Sequence, residues 1–200
     1  MIFNRTDADM EEWNMLASQE QVLGYMQKRR DALFELLSAL VQIDSQNFVQ
    51  TGREQVVQEK ILQHCQALGL PAQLYVPDRV PGLTAHPGYL PGRGTDRRPN
   101  VTAVLHGTAP RRRIMLAAHA DTMPVGDERL WTVPPLGGVR KNGRIYGRGA
   151  GDDKAGIAAA LFTLQCLQET GVQLSDDVLF TSYADEEYGG GNGALAACLA

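Results

Sequence analysis

The chain has 200 residues and a mass of 21.8 kDa, enough for one domain with a substantial buried core and no need of a disulfide framework. Its 44% hydrophobic and 21% charged residues exclude wholesale disorder and collagen-like or coiled-coil architecture. Nineteen basic against 23 acidic residues leave a net charge of −4, which argues against a broad electrostatic footprint for nucleic acid or an anionic membrane.

The first residues, MIFNRTDADMEEWN, are acidic and lack the basic start and apolar core of a secretory signal, so 1–18 read as an N-terminal extension. No apolar run is long enough to expect a membrane span. Leu23, Met26, Leu33, Leu37 and Leu40 fall at helical spacing and predict one amphipathic helix between Gln19 and Val41. IDSQN breaks it. Val57, Ile61, Cys65 and Leu68 predict a second helix from about Glu54, stopped at Gly69. AQLYV is a short strand candidate. From Pro77 to Asn100 the chain holds five of its ten prolines and four glycines, so 77–100 read as a surface connection or insertion.

Strands resume with VTAVLHG and with RIMLAAH over 113–119, the latter apolar on both faces as a central strand is. GGVRKNGRIYGRG reads as a hairpin turning at Asn142-Gly143, a type I′ pair. Ile157, Leu161, Leu164 and Leu167 form a helical stripe ending near Gly171, followed by the strand DVLFTSYAD and a small-residue helix in GGGNGALAACLA. The expected class is α/β: a three-layer sandwich with a mixed, mostly parallel central sheet and helices on both faces. Cys65, Cys166 and Cys198, odd in number and far apart, read as reduced thiols of a cytoplasmic protein.

Three motifs follow predicted strand ends: His119 with Asp121, Asp152 with Asp153, and Glu186 with Glu187. In open α/β sheets ligands bind beyond the carboxyl ends of strands, so elements distant in sequence can bring these side chains together. A histidine leaving a buried strand can bind metal through one ring nitrogen if a carboxylate fixes the other, and Asp121, two residues on, points to the same side. The bland alternative is a hydrogen-bonded core histidine beside a turn-forming aspartate. In GRGAGDDKAG the glycines do not match a dinucleotide fingerprint, and Asp152 would repel a pyrophosphate. Asp152 is then either a helix N-cap or a carboxylate shared by two cations. Glu186 and Glu187 reach one site only if the strand has already turned, which GGGNG permits; otherwise they are a solvated acidic loop. One could ligate metal while the other takes a proton from water.

In order and spacing, HADTMPVGD, WTVPPLGG, YGRGAGDDKAG and ADEEYGGGNG resemble the signature of the co-catalytic zinc hydrolase superfamily of aminoacylase, acetylornithine deacetylase, succinyl-diaminopimelate desuccinylase and carboxypeptidase G. The resemblance implies two zinc ions, with cobalt or manganese as alternatives, held by His119, Asp152 as the bridge, and Glu187. It implies Glu186 as general base, Asp121 as the residue orienting His119, and a cis peptide at Asp152-Asp153. The implied reaction is hydrolysis of an amide bond in N-acyl amino acids or small peptides, with neither nucleic acid nor membrane as a partner.

The chain departs from the family pattern after Glu187, where thirteen residues contain no histidine, aspartate or glutamate. A further acidic ligand, a last histidine and the lid or dimerisation domain of the family have no counterpart, leaving each zinc short of one ligand. Of the other histidines, His64 falls in a predicted helix and His86 in the proline-rich connection, so His106 is the least implausible substitute. The expectation is the N-terminal portion of a catalytic domain, inactive alone and lacking its C-terminal half, with homodimers only for a full-length chain. The alternative is a non-catalytic metal-binding or scaffold remnant that needs a partner chain.

Overall fold

The computed structural model describes residues 7–200, with side chains from Ser18 onward. Helix α1 (Asp7–Lys28) and α2 (Arg30–Val41) replace the single expected helix, and the proposed boundary at residue 18 falls inside α1. The break at Arg29 separates two packing surfaces. α1 lies along α4 (Lys154–Thr170), whereas α2 packs on both α4 and the hairpin of β4 (Val139–Lys141) and β5 (Arg144–Tyr146). Asn142 and Gly143 turn that hairpin with φ of 53° and 72°, as the sequence requires.

The main sheet contains β1 (Ala72–Tyr75), β2 (Asn100–Leu105), β3 (Arg113–His119) and β6 (Asp177–Tyr183), in the order β1-β2-β6-β3. It is mixed, but the expected predominance of parallel pairing is corrected: β3 and β6 run parallel, while β2 runs antiparallel to both β1 and β6. The physical reason lies in the connections. Only β3 and β6 are joined by a helical crossover, α4, which returns the chain in the same direction.

Side chains alternate along each strand, so Val101 and Ala103, Ala118, and Val178 and Phe180 share one face. They form the core with Val57, Ile61 and Cys65 of α3 (Gln55–Ala67) and with Ile157, Leu161 and Leu164 of α4. On the other face Tyr75 packs with Val80, Leu83 and Ala196, the last in α5 (Asn192–Leu199), so helices lie on both faces. The connection after β1 is therefore not wholly superficial: Pro77, Val80, Leu83, Thr95, Arg98 and Asn100 are buried.

β3 is an edge, not a central strand. It pairs only with β6 among the described residues, and Ile114 and Met115 are 59% and 44% exposed. An apolar sequence reports that a strand is fit for burial on two faces, not that both its edges are paired. Among the described residues no helix is long and apolar enough to cross a membrane.

Candidate metal centre

The register that pairs β3 with β6 sets His119 opposite Tyr183, so the motifs following both strands emerge at the same rim. His119 is buried at the end of β3. Its Nδ1 lies 3.0 Å from the Asp121 main-chain oxygen and 3.5 Å from the Asp121 carboxylate. That arrangement fixes the ring and turns Nε2 to within 2.9 Å of Asp152 Oδ1 and 3.7 Å of Glu186 Oε2. Burial opposes protonation of the imidazole, but Asp121, Asp152 and Glu186 outweigh it and push its pKa up to about 9. The field at Nε2 thus favours a cation.

Asp121, fully buried, does more than orient His119. Its carboxylate accepts the Glu186 amide at 2.9 and 3.0 Å, the Glu187 amide at 3.1 Å and Asn47 Nδ2 at 2.7 Å. Burial works against its charge, yet these donors and His119 hold the carboxyl below the usual carboxylate range. One side chain therefore ties together the exits of β3 and β6 and the loop after α2.

Asp152 and Asp153 are joined by a cis peptide bond, as the family resemblance implies. Asp153, not Asp152, caps α4, accepting the Gly156 amide at 3.2 Å. Asp152 is left 80% exposed with His119 as its neighbour. Two of the glycines before it serve packing: a Cβ at Gly147 would lie 2.4 Å from Val41 Cγ1, and one at Gly149 2.4 Å from Thr122 Cγ2.

The strand does turn before the glutamate pair. Asp185 adopts φ of 61°, and Glu187 Oε1 then accepts the Met123 amide at 3.0 Å. Burial raises the Glu187 pKa against that bond, with Asp152 adding to the rise. Ligand atoms of His119, Asp152 and Glu187 all lie within 4.8 Å of one another, and Glu186 stands beside them. None of the other histidines joins the group. His106 is exposed at the opposite end of the sheet, 3.4 Å from Asp177; His86 is exposed in the connection, and His64 sits on α3.

Two residues with no assigned role in the sequence reading support this rim. Asn47 lies in the segment that reads only as a break. Lys154 is buried, and its Nζ donates to Leu40 O at 2.9 Å and Ile43 O at 2.7 Å, closing the carbonyl end of α2. Burial pushes the Lys154 pKa down to about 8 from the ordinary 10.5. Between these values the unfolded chain holds more protons than the folded one, so Lys154 makes stability rise with pH across that window. In urea unfolding at pH 8 and pH 10, the stability of the native chain relative to Lys154→Met is expected to grow by about 2 kcal/mol at the higher pH. An unchanged difference would refute the burial argument.

Residues 115–199 match the model of peptidase family M20/M25/M40. N-formyl-4-amino-5-aminomethyl-2-methylpyrimidine deformylase of Halalkalibacterium halodurans is 30% identical over 172 residues, covering 85% of this chain and 36% of the relative. Succinyl-diaminopimelate desuccinylase of Rhodospirillum centenum is 36% identical over 106 residues, covering 53% of this chain and 27% of the relative. Human carnosine dipeptidase 1 superposes with a TM-score of 0.68 at 21% identity, over 85% of this chain and 35% of that one, a likeness of fold. The chain spans roughly a quarter to a third of the length of these relatives. Motif order, fold and matched residues agree on kinship with peptidase family M20/M25/M40, whose model residues 115–199 match.

Proposed function

We propose that this chain contributes to the active site of a metal-dependent hydrolase that cleaves the amide bond of N-acyl amino acids or small peptides. The convergence of His119, Asp152 and Glu187 carries the reading. One imidazole and two carboxylates are a hard-to-borderline donor set suited to zinc, cobalt or manganese. The exposed Asp152 carboxylate and the fixed His119 ring fit such an ion without rearrangement of the strands. In our reading two zinc ions would be held by His119, Asp152 and Glu187. The names of the relatives, a deformylase and a desuccinylase, support removal of an acyl group from nitrogen.

A divalent metal held there supplies Lewis acidity, polarising an amide carbonyl and lowering the pKa of a water to about 7. The chain's own residues do the rest. Asp121 holds the His119 ring in one orientation and fixes the Glu186 and Glu187 amides. Glu186 stands beside the ligand cluster without being needed as a ligand, so it takes a proton from water and returns it to the leaving amine. Three donor residues are fewer than two catalytic zinc ions use, so the chain alone is inactive and further donors complete the site. The three free cysteines, two of them buried, support a cytoplasmic location.

Metal analysis of the purified chain and amidase assays on N-formyl and N-succinyl amino acids and dipeptides, with and without a supplied C-terminal half, test the reading. Metal bound by the chain, and turnover only when the half is present, are expected. In the active assembly Glu186→Gln should retain metal and lose turnover about 10³-fold. Retained turnover removes Glu186 as the base, and a chain binding no metal defeats the whole assignment.

A further inference from the structure

The Glu186–Glu187 turn is held from an unexpected quarter. Asp185, which opens it in the left-handed region, is buried; its Oδ1 receives Arg93 Nη1 at 2.9 Å and Asn47 Nδ2 at 3.4 Å and is ion-paired with Arg98 Nη2 at 3.0 Å. Its Oδ2 receives the Asn192 amide at 3.2 Å. Arg93 Nη2 also donates to the Tyr188 carbonyl, one residue beyond the glutamate pair. Arg98 is itself clamped by Glu54, with Nε at 2.9 Å and Nη2 at 2.8 Å from Oε1, and by Val49 O at 3.2 Å. Both arginines come from the proline-rich connection, about ninety residues before the turn they grip.

A non-glycine residue in the left-handed region costs on the order of 1–3 kcal/mol and persists only where its surroundings impose it. Here two guanidinium groups impose it in a nearly dry site, Arg93 through a charge-assisted bond and Arg98 through an ion pair. The bond from Arg93 to Tyr188 pins the far side of the turn, so Glu186 and Glu187 are suspended between two anchors while Asp121 takes their amides. We infer that Arg93 and Arg98 are positioning residues: acting through Asp185, they set the Glu186–Glu187 turn in the geometry that presents both carboxylates to His119 and Asp152. The value of that geometry for metal rests on the hydrolase reading; the clamp itself does not.

Arg93 lies at the edge of the network, 11% exposed, so Arg93→Met tests the clamp with less risk to folding than a change at the fully buried Arg98. Hydrogen exchange on the metal-free chain should show the Glu186 and Glu187 amides exchanging at least tenfold faster in Arg93→Met, with the β6 core amides of Val178–Phe180 unchanged. Arg93→Lys should restore part of the protection. Titration with Co²⁺ should show about tenfold weaker binding by Arg93→Met. Exchange at Glu186 and Glu187 within twofold of the native chain, or equal acceleration in the β6 core, would overturn the inference. Should the native chain bind no Co²⁺, the metal reading fails while the exchange experiment still decides the clamp.

Discussion

Co²⁺ binding by the chain is expected to rise about tenfold per pH unit between pH 6 and 8, and to fall below detection in His119→Ala and Asp152→Ala. The sign follows from competition. His119 holds a proton with a pKa of about 9, because burial is outweighed by Asp121, Asp152 and Glu186. A metal ligand must be deprotonated, so over this range each ion bound at Nε2 displaces that proton, and affinity is lost as pH falls. The two substitutions act differently. His119→Ala removes the donor that Asp121 orients, whereas Asp152→Ala removes the most exposed carboxylate of the group and leaves the interior intact. Calorimetric titration of the three proteins across pH decides the matter, and a pH-independent affinity would show that metal enters elsewhere.

Gly193→Ala is expected to lower stability by more than about 3 kcal/mol, although alanine ordinarily favours a helix. Gly193 sits in the first turn of α5, where the chain folds back over the exit of β6. A Cβ there would lie 1.9 Å from Ala184 O and 2.9 Å from Ala184 N, both backbone atoms that cannot swing aside. Relief requires moving α5 away from the strand. That displacement would also break the bonds of Asn100 Nδ2 to Gly193 O at 2.8 Å and of the Ala184 amide to Asn100 Oδ1 at 3.1 Å. Urea unfolding measures the loss, and native stability in the Gly193→Ala variant would mean that the rim is softer than its contacts suggest. Gly151, with open space where a Cβ would point, is the matched control.

The sequence by itself determined the local elements and the motifs they carry. RIMLAAH became β3 over the expected seven residues, Asn142-Gly143 turned the hairpin, and Gly171 ended α4 in the left-handed region. Periodicity and turn chemistry act within a few residues, so they are legible in one dimension. The strand-end position of His119, Asp152 and Glu186–Glu187 was legible for the same reason, and the family resemblance supplied the roles proposed for them.

Only the tertiary structure decided which of two adjacent aspartates caps α4, that β3 is an edge, and that the Gly147 and Gly149 spaces belong to Val41 and Thr122. It also decided that a connection read as superficial sends Arg93 and Arg98 to Asp185. Contacts of this kind join groups far apart along the chain, in a site where water no longer competes, as Asn47 meets Asp185 and Gly149 meets Thr122. A pairing between buried charges leaves no periodic trace along the chain, because it is selected by the packing of the strands and helices that carry them.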